Sequence, residues 1–94
     1  MSVAEVASKK FAFSNDQMNH LGLDERTSRR LSKAINIAVE AKREDKGKRK
    51  LSSKTQSAIG AVAKICEINH IGMTFEGDYP VLNKHHLNIH CVIR

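Results

Sequence analysis

The stretch SKTQSAIGAVAKICEINH, residues 53–70, decides the fold. Wound at about 100° per residue, Ala58, Ile59, Ala61, Val62, Ala63, Ile65, Cys66 and Ile68 cover well over half of the circumference. Only Gly60, Lys64 and Glu67 make a clear polar strip. A helix apolar on so many sides is surrounded by other elements rather than laid on a surface. It is expected to be the central helix, opened by a capping box of Ser53 and Gln56. It should end near Asn69 or His70, with Gly72 just beyond.

Upstream lies KREDKGKRKLSSK, residues 42–54, with Gly47 at its middle and no apolar periodicity. It reads as a basic, mobile loop. Before it, Asp24 caps a helix that persists to about Lys42, with Glu25 in its first turn. Thr27, Leu31, Ala34, Ile35 and Ala38 form its apolar stripe, flanked by Val39 and Ala41. Arg26, Arg29, Arg30 and Lys33 occupy the opposite face. A short helix precedes it over residues 15–21. Ser14 with Gln17 makes a capping box, Phe13 with Met18 a hydrophobic staple, and Gly22 with Leu23 a left-handed stop. Phe11 and Phe13 alternate on one side and should be buried. Residues 2–8 have the capping-box spacing of a further short helix, Ser2 to Glu5.

Downstream the pattern changes to strands. Residues 73–75 and 87–93 are joined through Gly77, Asp78, Tyr79, Pro80 and Asn83. Leu87, Ile89, Cys91 and Ile93 alternate with His86, Asn88, His90 and Val92, giving one inward and one outward face. Pro80 belongs in the connection or on an edge, where a missing amide donor is tolerated. A lone hairpin is marginal in water, so it must pack on the central helix, find a third strand in residues 9–13, or pair with a second copy. The expected fold is α+β. A small helical domain (short helix, long helix, central buried helix) is followed by a C-terminal antiparallel β-hairpin, with residues 1–94 as a single domain.

Composition narrows the partners. The hydrophobic fraction of 40% and the charged fraction of 28% are those of an ordinary globular protein. A net charge of +6, with five histidines besides, favours nucleic acid or an acidic protein surface. No stretch approaches the apolar length of a membrane span, and MSVAEVASKK has the wrong order for a signal peptide. Cys66 and Cys91 are too few for a disulfide scaffold and read as reduced thiols of a cytoplasmic protein.

NDQMNHLGLDERTSRRLSKAI, residues 15–35, resembles a helix-turn-helix. LGLDERTSRRL is similar to the turn and recognition helix of bacterial regulators. Gly22 takes the turn position, while Leu21, Leu23 and Leu31 take those that pack the two helices together. Met18 stands where such motifs carry Ala or Gly, and Ser28 where they carry Val or Ile. The resemblance implies that Arg26, Arg29, Arg30 and Lys33 face the major groove of DNA. The loop cations Lys46, Lys48, Arg49 and Lys50 would add phosphate contacts without sequence information.

Other chemistry is thinly supported. Cys66, His70, His86 and His90 offer a zinc site pinning strand to helix, though their spacing matches no familiar module. No Gly-rich nucleotide loop is present, no cofactor is implied, and Cys66 sits in an apolar helix where a thiolate is disfavoured. The expected function is therefore a small basic nucleic-acid-binding protein, duplex DNA favoured, in a regulatory or accessory role without catalysis. The competing expectation is a protein-interaction module, an inhibitor or adaptor that docks through its basic face or strand edge. A homodimer through the hairpin is compatible with either.

Overall fold

A computed structural model describes residues 10–92; the expected helix over residues 2–8 lies outside them. Three helices precede a three-stranded sheet: α1 (Asn15–Leu21), α2 (Glu25–Glu44), α3 (Ser53–Ile68), β1 (Gly72–Glu76), β2 (Tyr79–Lys84) and β3 (Leu87–His90). The sheet is an antiparallel meander in the order β1-β2-β3. This is the expected α+β class. No helix among the described residues is long and apolar enough to cross a membrane.

The short-range signals at α1 and α2 act as their chemistry dictates. Ser14 accepts from Gln17 N–H while the Gln17 side chain accepts from Ser14 N–H. Gly22 takes φ 70, and Leu23 N–H donates to Met18 O at 2.9 Å, closing a Schellman cap. Asp24 caps α2 by accepting from Thr27 N–H at 2.7 Å.

The central helix begins one residue earlier than its capping box suggests. Ser52, not Ser53, is the N-cap, and its hydroxyl accepts from Thr55 N–H. Asp45, the C-cap of α2, decides this. Its Oδ2 accepts from the Thr55 hydroxyl at 2.6 Å and from Ser52 N–H at 2.8 Å. The nearly buried carboxylate thus ties the two long helices across the loop. Those two donors, the Thr55 hydroxyl first, pull the Asp45 carboxyl down from 3.8 to about 2. Its folded pKa is depressed, so its stabilisation is complete above 3.8 and lost as pH falls through about 2. Thermal melts should show wild type above Asp45→Asn at pH 5, with the gap closing between those two values. A gap unchanged at pH 2 would contradict this.

α3 packs on α2 along one side and on β1 along another, and α2 also meets β2. Its buried residues are Thr55, Ala58, Val62 and Cys66, a single stripe. Ala61 is exposed and Ile68 is 68% exposed, so burial is narrower than the all-round hydrophobicity implies. The helix ends at Asn69, followed by His70 at φ 58. Ile71 N–H donates to Cys66 O at 2.8 Å, and Gly72 already belongs to β1.

The third strand comes from the expected connection, not from residues 9–13. YPVLNK forms β2, between β1 and β3. A central strand can hold Pro80 because of where its nitrogen points. Pro80 O accepts from Cys91 N–H at 3.0 Å, so the missing donor faces the β3 side, one residue beyond the end of that strand. Register sets Met73 beside Leu82, Leu82 beside Ile89, and Phe75 beside Pro80 on the face toward the helices. Residues 10–13 instead run along α2.

His85 and His86 lie in the two-residue turn between β2 and β3, not on the last strand, with φ 53 and 67. Such a turn asks for positive φ at both centres, which Asn-Gly supplies and histidine resists. The double substitution His85→Asn with His86→Gly should raise stability by about 1 kcal/mol in urea unfolding. A loss of stability would show that the imidazoles contribute contacts that outweigh the backbone strain.

Candidate nucleic-acid interface

Arg26, Arg29, Arg30 and Lys33 are all exposed. On α2 they fall within about 100° of arc, together with Ile37, Glu40 and Glu44 further along. The solvent face of α2 is thus cationic over its first three turns and acidic toward its end. Two acids serve the cationic part: the Asp24 carboxylate attracts Arg26, and Glu25 Oε1 accepts from Arg29 at helical i,i+4 spacing, with both of the latter side chains well exposed. The pairs Arg26/Arg29, Arg26/Arg30, Arg29/Lys33 and Arg30/Lys33 are like charges three or four residues apart. Each costs the helix about 0.2–0.5 kcal/mol. Arg26, in the first turn, also opposes the helix macrodipole.

Leu21, Leu23 and Leu31, which flank and follow the Gly22 turn, are all buried in the core. Ser28 is also buried, and its hydroxyl has no hydrogen-bond partner among the described residues. It lines a small cavity of about 150 Å³ together with Phe13, Met18 and Arg29. Phe11 and Phe13 stack edge to face with centroids 4.8 Å apart and stay half-buried. The main chain of Phe11 pairs with Asn36: Phe11 N–H donates to Asn36 Oδ1 at 2.7 Å, and Asn36 Nδ2 donates to Phe11 O at 3.0 Å. These contacts bring Lys10 to the edge of the cationic arc, in a cleft of about 360 Å³ shared with Arg29 and Lys33.

Lys46, Lys48, Arg49 and Lys50 sit at the other end of α2, all exposed. Glu40 and Glu44 separate them from the arginine arc. Several cations around this loop have acids of their own: Lys48 with Asp45 at 3.5 Å, Lys54 with Glu44 at 3.6 Å, Arg43 with Asp78 at 2.8 Å. The Arg43 guanidinium holds the Asp78 carboxyl below its usual value. A cleft of about 370 Å³ opens among Lys42, Arg43, Lys46, Leu51 and the Gly77–Asp78 turn, with the Lys42 ammonium 5.0 Å from the Phe75 ring centre. The structure therefore holds two separate basic surfaces.

The zinc candidates are not assembled. Cys66 is buried on α3, His70 follows that helix, His86 is in a turn and His90 is outward on β3, 3.8 Å from Glu76. Among the described residues no three His, Cys, Asp or Glu side chains gather as a metal needs. Burial pushes the Cys66 thiol up to about 11 and that of Cys91 to about 12. Both remain protonated at neutral pH.

Lys10, Asn36 and Lys84 are among the polar residues that the sequence does not single out. Lys84 Nζ donates to Leu21 O at 2.8 Å and to Asn69 O at 3.0 Å, so one ammonium serves the carboxyl ends of α1 and α3. Its own carbonyl accepts from His20 Nε2–H at 2.7 Å. Comparison with protein-family models, with curated proteins and with solved structures returns no match.

Proposed function

We propose that the protein is a small regulatory or accessory DNA-binding protein that docks on duplex DNA with the first three turns of α2. The observation that carries this reading is the cluster of Arg26, Arg29, Arg30 and Lys33. Its four like-charge neighbour pairs together cost the helix about 1–2 kcal/mol. Few acids offset that cost: Glu25 pairs with Arg29 and the Asp24 carboxylate attracts Arg26, while no acid is paired with Arg30 or Lys33 among the described residues. A row of phosphates would offset it, and exposed arginines on a helix face are suited to guanine edges and phosphate oxygens alike. The buried Leu21, Leu23 and Leu31 beneath the face support the likeness to a helix-turn-helix.

The loop cations are assigned a lesser part. They stand beyond Glu40 and Glu44 and attract a polyanion from a distance without belonging to the same contact surface. A second reading, an inhibitor or adaptor docking on a larger complex through its strand edge, draws on the outer edge of the sheet, where Leu87 of β3 and Val92 just beyond it are 45% and 38% exposed. The two readings part in a fluorescence titration of a generic labelled duplex across salt concentrations. The four α2 cations, one phosphate each, contribute about −3.6 to the log–log slope. The double variant Arg29→Ala with Arg30→Ala should bring that contribution to about −1.8. Wild-type protein that leaves the duplex unbound at low salt would overturn the reading.

A further inference from the structure

The cleft between residues 10–13 and α2 brings together cations that are far apart in sequence. Lys10 stands on one wall, Arg29 and Lys33 on the other. Lys10 is fixed there by its neighbour, since Phe11 engages both its N–H and its C=O with one side chain, Asn36. The Asn36 amide is locked in turn, because Nδ2 also donates to Ser32 O at 2.9 Å. Arg29 and Lys33 are one turn apart on α2 and face the same space. The pairing of Arg29 with Glu25 is exposed, and such pairs hold weakly in water. Glu40 lines the far end of the cleft, about 10 Å along the axis from Lys33. The cationic end of the cleft is therefore the one that Lys10, Arg29 and Lys33 line.

We propose that Lys10 adds one backbone phosphate of the bound duplex at this cleft, beside those held by Arg29 and Lys33. Asn36 is the positioning residue that keeps Lys10 in place. The proposal rests on the reading of α2 as the duplex surface. It extends that surface to a strap of chain whose role no linear motif reveals.

The test is Asn36→Leu, which removes both hydrogen bonds to Phe11 without altering any charge. Its fold is checked by far-UV circular dichroism. In the salt titration, Lys10→Ala and Asn36→Leu should each lower the slope by about 0.9, the loss of one phosphate contact. The double variant should show the same loss as either alone, which a merely structural effect of Asn36 would not produce. A slope reduced by Lys10→Ala but not by Asn36→Leu overturns the positioning role. Slopes unchanged in both overturn the cleft, while wild-type binding would leave the α2 surface standing. If wild type binds no duplex, inorganic phosphate becomes the probe. Saturable amide NMR shifts at Phe11, Arg29 and Lys33 that vanish in Lys10→Ala would uphold the cleft alone, and their absence would overturn it.

Discussion

Val62→Asp is expected to unfold the protein. Val62 is fully buried on α3, midway between Ala58 and Cys66 in the stripe of buried residues along that helix. An aspartate there places a charge among aliphatic side chains with no donor in reach. The cost is about 4 kcal/mol or more. A domain of this size has roughly 5–14 kcal/mol in total. Ala61→Asp, one residue away on the exposed side of the same helix, is the control. It should fold with a melting temperature close to wild type. Far-UV circular dichroism and urea unfolding decide the matter. A cooperative, near-native transition for Val62→Asp would remove α3 from the centre of the core.

Lys84→Met should be the most damaging change at a partly exposed position. The substitution keeps the apolar stem and deletes the ammonium that serves Leu21 O and Asn69 O. Two charge-assisted hydrogen bonds are lost, and the carboxyl ends of α1 and α3 lose their common cation. The expected cost is about 3 kcal/mol, a fall in melting temperature of roughly 12–24 °C. Local consequences should accompany it. Amide exchange should quicken at Gly22 and Leu23, which close α1, before it quickens in β1. A melting temperature within a few degrees of wild type would show that water replaces the ammonium at little cost.

What could be read from the sequence follows the range of the interactions. The ends of α1 and the start of α2 are set by contacts three to five residues long, at Ser14/Gln17, Met18/Gly22/Leu23 and Asp24/Thr27, and the local pattern carries them. The start of α3 is not local. Ser53/Gln56 has the better capping-box spacing, yet Ser52 wins because Asp45, from the preceding helix, binds Ser52 and Thr55 at once. β2 was hidden because Pro80 marks a turn in most contexts, and only the position of Cys91 makes its missing donor harmless. The excess hydrophobicity of α3 has a compositional origin. Ala61 and Ala63 count as apolar on a wheel, but alanine is the best helix former and sits on surfaces at little cost.

The candidate site divides in the same way. That Arg26, Arg29, Arg30 and Lys33 share an outward arc follows from helical spacing alone. That Glu40 and Glu44 cut this arc off from Lys46, Lys48, Arg49 and Lys50 follows from the same wheel once α2 is known to reach Glu44. The contribution of Lys10 depends on a pairing between Phe11 and Asn36 across 25 residues, which no periodicity encodes. The left-handed backbone at His70, His85 and His86 is equally silent, since histidine carries no turn signal comparable to glycine.

Two charge-matched variants test most directly whether duplex DNA is bound by the first turns of α2. One replaces Arg26, Arg29, Arg30 and Lys33 by alanine, the other Lys46, Lys48, Arg49 and Lys50, so that each removes four positive charges. With the duplex titrated at the same series of salt concentrations, the helix variant should lose the α2 contribution of about −3.6 to the slope and with it measurable affinity. The loop variant should keep the slope and weaken binding by less than about tenfold, the loss of long-range attraction alone. Equal losses in the two variants would contradict a surface confined to α2, and wild-type protein that ignores the duplex at low salt would contradict DNA binding altogether.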